Sequence, residues 1–203
     1  MYVWFWTAQV TIWVCWGAFL TAWLVGAIYN WFRAPAVRQR RLVASGWMVA
    51  VPAVLIIRLV PRWLWRPVTV HSPVLLVAGL LVLVIATAFA IWARVVLGRM
   101  WTVSAVIKDD HQLRTDGPYA ITRNPIYTGI LGMALGTAAA SGFGPTLVLI
   151  ALAPVWIWLK IRAEERLLTE TFPRDYEHYR QQVPRLIPRL TPVHRPAKVP
   201  GDA

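Results

Sequence analysis

Residues 124–159, NPIYTGILGMALGTAAASGFGPTLVLIALAPVWIWL, run for 36 positions without a charged side chain. As one helix they would measure about 54 Å, well beyond the ~30 Å of a bilayer's hydrocarbon. Something must turn the chain back, and Ser141-Gly142-Phe143-Gly144-Pro145 is the breaker. The stretch therefore reads as a tight helical hairpin with arms of about fifteen residues, the second continuing as a helix past Lys160. Gly132, Gly136, Ala140 and Gly144 recur at every fourth residue and form a smooth stripe on which another helix can pack closely.

Working outward, residues 94–123 collect Lys108, Asp109, Asp110, His111, Arg114 and Asp116, and read as a loop or interfacial segment. Before them, residues 67–93 contain only His71 as a titratable group and are long enough to cross a membrane with some tilt. The run between Arg41 and Arg58 contains Pro52 and is the weakest span, reaching full length only if Arg58 snorkels toward the headgroups. Residues 1–32 are uncharged and lack the basic start and short apolar core of a cleavable signal, so they are expected to stay as a membrane helix. The expected fold is all-α and polytopic, with about five transmembrane helices. Its N-terminal part, 1–93, holds helices 1–3; its catalytic region, 94–203, holds the loop, the hairpin 124–161 and a cytoplasmic C-terminal segment.

Composition agrees with a bilayer setting, since 58% of the residues are hydrophobic and only 15% charged, a balance that a soluble domain could hardly keep in solution. Many of the thirteen tryptophans, among them Trp4, Trp6, Trp31, Trp47, Trp63, Trp65 and Trp101, stand near the ends of apolar runs, where amphipathic rings anchor at the headgroups. Cys15 is the only cysteine, which leaves no disulfide framework and no thiolate metal site within one chain, and no metal site is expected. The net charge of +12 is accounted for by the positive-inside rule, so no nucleic-acid partner is expected. With five spans, 18 basic residues share one side and only Arg58, Arg62 and Arg66 lie on the other. That assigns the basic side, with the C-terminus, to the cytoplasm of a plasma (inner) membrane protein. All nine acidic residues occur from Asp109 onward, so the chemistry is expected on the same side.

Several residues can carry that chemistry. Gly117-Pro118 makes a turn, and Asn124-Pro125 is a helix start with Asn as N-cap and Pro at the first helical position. The orphan N–H groups there favour an anion such as a ligand carboxylate, although Asn124 could equally do no more than cap the helix. In Arg162-Ala163-Glu164-Glu165-Arg166, Arg162 and Glu165 are one turn apart on one face; the alternative to a site is a solvated charge run. Standing where the helix leaves the membrane, Glu165 is expected to tolerate alanine without loss of folding. Phe172, Tyr176, Tyr179 and Val183 are spaced as an amphipathic helix lying on the membrane or over a site.

Taken together, three blocks stand in order: His111-x-Leu113-x-Thr115-x-Gly117-Pro118-Tyr119, then Arg123-x-Pro125-x-Tyr127-x-Gly129, then Glu164-Glu165 with Leu168, Phe172, Tyr176, Tyr179 and Pro184. Their order and separations resemble the isoprenylcysteine carboxyl methyltransferase and phospholipid methyltransferase superfamily of membrane enzymes, over about the second half of the chain. The resemblance implies an S-adenosylmethionine pocket built from the loop, the hairpin and the C-terminal segment, open laterally to lipid, with no Rossmann domain. Gly142-Phe143-Gly144 agrees, since it lacks a third glycine and a preceding strand. Carried over by position, His111, Leu113, Gly117, Tyr119, Asn124, Pro125, Tyr127, Glu164 and Glu165 would line the cofactor site. Glu165 and Arg162 are the candidates for catalysis and substrate orientation. One departure is Arg123-Asn124-Pro125 where the family commonly has Arg-His-Pro. Asparagine cannot exchange a proton near neutral pH, so Asn124 is assigned binding alone.

The expected activity is therefore methyl transfer from S-adenosylmethionine, leaving S-adenosylhomocysteine, to a lipophilic acceptor taken from the bilayer. A carboxylate acceptor is favoured, with amine or thiol possible: a carboxylate suits an arginine such as Arg162, an amine needs a base such as Glu165. The alternative is a non-catalytic membrane protein that keeps the fold as a binding or assembly module. A small transporter or channel is disfavoured, because the only charged residues within the spans are Arg58 and Arg94.

Overall fold

The computed structural model describes residues 2–33, 37–41, 47–70, 72–98, 105–108 and 113–189. The elements are α1 (Tyr2–Arg33), β1 (Val37–Arg41), α2 (Trp47–Leu59), α3 (Arg62–Trp65), α4 (Pro73–Leu97), β2 (Ala105–Lys108), α5 (Pro125–Ala140), α6 (Leu147–Thr171) and α7 (Pro173–Gln182). Short 3₁₀ turns at Arg66–Val68, Gly117–Ala120 and Gly144–Thr146 connect them. The protein is a helical, multi-pass membrane protein. Three helical segments are long and apolar enough to cross a bilayer, Trp6–Phe32, Pro73–Leu97 and Gly144–Thr171. The five expected crossings are reached only by adding the 13-residue α2 and the 16-residue α5, each under ~25 Å long. Exposed apolar side chains such as Trp13, Val74, Ile85 and Val155 cover the outward faces of α1, α4 and α6, as lipid contact requires.

The core lies where α1 and α5 meet α4. Ile12, Cys15 and Phe19 of α1 pack on Leu83, Ala86 and Ala90 of α4 and Met133 of α5. The Trp16 indole N–H also reaches across to donate to Thr137 Oγ1 at 3.0 Å. The α4 and α5 backbones approach so closely that a Cβ on Gly136 would stand 2.6 Å from Leu83 N, and one on Gly132 2.7 Å from Ala86 Cβ. The expected small-residue stripe thus has its partner, and the partner is α4: α5 packs chiefly against α4, and far less against its own hairpin arm α6. Gly144 leaves the stripe. It sits in the turn at φ +50°, against Thr69.

The break in the hairpin falls at the expected place. Gly142, Phe143 and Gly144 all have positive φ, at 78°, 61° and 50°. Phe143 N–H closes the end of α5 on Ala138 O at 2.6 Å, and the turn is held from outside by Val70 N–H donating to Gly142 O at 2.9 Å. The second arm continues past Lys160 to Thr171, with Pro154 inside it.

Two features differ from expectation. The helix α4 runs through Arg94 to Leu97, a turn into the segment read as loop. The basic stretch after α1 and the segment after α4 also pair as an antiparallel ribbon, Gln39 with Ile107, Arg40 with Val106 and Arg41 with Ala105, irregular between Val37 and Gln39. Strands this short, joined across some sixty intervening residues, carry no alternation that a local pattern could reveal. The residues His71, Trp101 and His111 lie outside the described residues, as do the side chains of Trp4 and Trp47. At the ends of α1, Trp6 and Trp31 are exposed, as is Trp63 in α3, consistent with anchoring.

Candidate active site

Glu164 and Glu165 are neighbours on α6, about 100° apart around the helix, so they meet different partners. Glu165 is clamped. Its Oε1 accepts from Arg123 Nη2 at 3.1 Å, Arg123 Nε at 3.2 Å and Asn124 Nδ2 at 3.3 Å, while Oε2 meets Arg185 Nη2 at 2.6 Å. The Arg123 and Glu165 side chains are 7% and 9% exposed. A buried carboxylate with so many charged donors is a well-compensated ion cluster, and removing one member leaves a buried charge behind.

Arg185 reaches Glu165 from the segment 183–189, which lies as a strap along the start of α5. Pro184 O accepts from Arg123 N–H at 2.9 Å, Arg185 O from Thr122 Oγ1 and Asn124 Nδ2 at 3.1 Å each, and Leu186 O from Thr128 Oγ1 at 2.6 Å. Arg189 N–H donates to Ile121 O at 2.9 Å, tying down the far end. Asn124 does occupy the N-cap position of α5, with fully buried Pro125 next, but its side chain makes no capping bond; the amide nitrogen is spent on Glu165 and the strap. The backbone does the local work, Asn124 O accepting from Thr128 N–H at 3.0 Å.

On another side of α6, Tyr127 donates its hydroxyl to Glu164 Oε1 at 2.6 Å, and the Trp156 ring meets the Tyr127 ring edge-on with centroids 6.3 Å apart. Buried Lys160 stands one turn before half-buried Glu164. Tyr119 is buried in the 3₁₀ turn after Gly117, whose φ of +57° lets the chain fold against Trp92 and Val96. The carbonyl of Tyr119 accepts a buried 2.6 Å bond from the Tyr179 hydroxyl, so α7 meets this turn. Leu113 packs with Leu168 and Phe172 around Tyr176, Tyr179 and Val183. Burial above all pushes the phenols of Tyr119, Tyr176 and Tyr179 well above their ordinary pKa, with Tyr179 and Glu164 adding to the effect at Tyr119 and Glu165 at Tyr176.

The candidate residues thus form two groups. Asn124 and Glu165 meet in the clamp, Tyr127 and Glu164 in a separate pair, and Tyr119, Gly117 and Leu113 join that second region through the turn and the α7 cluster. Arg162 stands apart: it is exposed, with its guanidinium 4.3 Å above the Trp158 ring. It shares with Glu165 the border of a cleft of 690 Å³ on the outer side of α6, but lies about 200° around the helix from Glu164. Two members of the site escaped the sequence reading. Arg123 stood inside a quoted motif without a role, and no local signal marked Arg185 as the partner of an acid twenty positions earlier.

A family model described as phospholipid methyltransferase matches residues 74–175, which include all but the first residue of α4, all of α5 and α6, and the start of α7. Among curated proteins, protein-S-isoprenylcysteine O-methyltransferase of Schizosaccharomyces pombe is 41% identical over 83 residues, 40% of this chain and 35% of that protein. Cobalt-zinc-cadmium resistance protein CzcN of Cupriavidus metallidurans is 31% identical over 150 residues, 71% of this chain and 63% of that one. The chain thus spans less than two thirds of the length of either. A solved structure of a eukaryotic intramembrane Ras methyltransferase, isoprenylcysteine carboxyl methyltransferase, superposes with a TM-score of 0.52 at 22% identity, covering 69% of this chain and 50% of that one, and so shares the fold.

Proposed function

The chain belongs to the phospholipid methyltransferase family, and from that premise we propose that it transfers a methyl group from S-adenosylmethionine to the carboxylate of a lipophilic acceptor. The observation that carries the reading is the Tyr127–Glu164 pair: a carboxylate 2.6 Å from a tyrosine hydroxyl, and near enough to Tyr119 to help raise its pKa, is an anionic and aromatic setting that suits a sulfonium cation. Bound there, S-adenosylmethionine would supply an activated methyl whose leaving thioether is neutral, so no acid is needed at the sulfur.

Glu164, Tyr127 and Tyr119 would hold the cofactor, with Gly117 and Pro125 shaping the backbone around it and Leu113 contributing from the segment before the turn; His111 is assigned by the resemblance alone. Glu165 has a different part. With its oxygens occupied by Arg123, Asn124 and Arg185, it is a positioning residue that fixes the start of α5, and hence Tyr127 one turn on, rather than a base. That favours a carboxylate acceptor, which attacks without losing a proton, over an amine, which must lose one. Arg162 on the outer face is not assigned to substrate orientation. The remaining task is alignment of the acceptor oxygen with the methyl at about 3 Å, which is where positioning lowers a barrier most. We place this chemistry on the cytoplasmic side of an inner membrane, from the distribution of basic residues.

The test is calorimetric titration of S-adenosylmethionine, which carries the sulfonium, into the purified chain in detergent and in lipid, with Glu164→Gln beside it, followed by methyl transfer from the labelled compound. Saturable binding that Glu164→Gln weakens at least tenfold, with label passing to an S-prenylcysteine carboxylate and not to phosphatidylethanolamine, is expected. Label on the amine instead would remove the carboxylate reading. Absence of binding in both settings would favour a non-catalytic membrane binding or assembly module.

A further inference from the structure

The outer face of α6 carries a second polar site that methyl transfer leaves unused. Leu159, Arg162, Arg166 and Thr169 fall on one side of the helix and border the 690 Å³ cleft, which Arg180 of α7 and Arg185 of the strap also line. This side is opposite Glu164, so the cleft is distinct from the Tyr127–Glu164 region. Four arginines line it, of which Arg162 stacks on the Trp158 ring and Arg185 is held by Glu165. The buried acid among its walls, Glu165, already has its oxygens occupied by Arg123, Asn124 and Arg185. The Arg166–Glu170 contact is 3.4 Å between two exposed side chains, and Arg180 holds Glu177 at 2.8 Å in a similarly exposed pair, bonds too weak to compete with a strongly charged ligand. Just before the cleft on the same helix, Val155, Trp158 and Leu159 expose apolar surface of the kind that faces acyl chains.

A cationic cleft adjoining lipid-facing surface, at the point where a helix leaves the bilayer, has the chemistry of a headgroup site. We propose that it binds the phosphate of an anionic phospholipid, with Arg162, Arg166 and Arg180 as donors and the acyl chains lying along Val155, Trp158 and Leu159. The apolar surface selects a lipid over a free phosphate, and the excess of guanidinium selects an anionic headgroup over a zwitterionic one. A lipid so held bridges α6 to α7, and acts as a structural ligand independent of the methyl acceptor.

Native mass spectrometry of the full chain from detergent, with phosphatidylglycerol or phosphatidylcholine of matched acyl chains, tests this directly. Phosphatidylglycerol is expected to be retained in preference, and Arg166→Gln/Arg180→Gln to weaken it roughly thirtyfold, as two charges of about 1 kcal/mol each predict. Both side chains are exposed, and the matching double lysine variant, which keeps the charges, is expected to keep the preference. Equal retention of the two lipids, or a glutamine variant that retains phosphatidylglycerol as the parent does, overturns the proposal. So does glycerol phosphate raising the melting temperature of lipid-free protein as much as phosphatidylglycerol, which would make the ligand a soluble phosphate.

Discussion

Replacing Glu165 by alanine strands two guanidiniums, one of them buried. The expectation that this position tolerates alanine rested on its place at a membrane exit, and the clamp with Arg123 and Arg185 reverses it. Glu165→Ala is expected to lower stability by about 3–5 kcal/mol, read as a fall in melting temperature in detergent, and Arg185→Gln, which leaves the pair with Arg123 in place, by less. Tyr127→Phe separates ring from hydroxyl: it deletes the 2.6 Å bond to Glu164 and is expected to cost about 1.5–3 kcal/mol, or roughly ten- to 150-fold, of S-adenosylmethionine affinity by calorimetry, with folding kept. The tyrosines where α7 meets the 3₁₀ turn, Tyr119, Tyr176 and Tyr179, predict an alkaline limit. Their folded pKa values lie above the ordinary 10.0, so the stability they contribute is complete below pH ~10 and is lost as pH rises through the folded values. Melting temperatures taken from pH 8 to 11 are expected to fall above pH 10, and to fall less steeply in Tyr179→Phe, which removes one of the titrating groups.

Among the elements, the α4–α5 contact is the least forgiving. Gly136→Val would drive a branched side chain into Leu83 backbone at a point where even a Cβ stands 2.6 Å away, and is expected to destabilise the fold by at least about 1–3 kcal/mol in the same melting assay. The hairpin break was readable because its cause is local: glycines and a proline act on their own dihedrals. The glycine stripe revealed a close approach but not the partner, since small residues mark a surface and say nothing about which helix covers it. The β1–β2 ribbon and the Arg185–Glu165 pair were illegible for a common reason. Each joins residues far apart in sequence, by backbone or by charge, in stretches where basic side chains are too numerous to single out one.

For the whole molecule, the distribution of charge makes a prediction that no local contact tests. A cysteine introduced at Arg189, in a Cys15→Ala background, is expected to react with a membrane-impermeant maleimide only when the cytoplasmic face is open, and one at Arg62 only from outside; the opposite pattern would invert the orientation. The strap also bears on how the protein comes into being. Synthesis runs from the N-terminus, so Arg123 and Glu165 exist before Arg185 does, and the chain has inserted α5 and begun α6 with its buried acid one partner short. The clamp closes last. A nascent chain can therefore be fully embedded yet lack an ordered α5 entrance, and clipping within 183–189 would return a mature one to that earlier state without removing a single residue from the membrane.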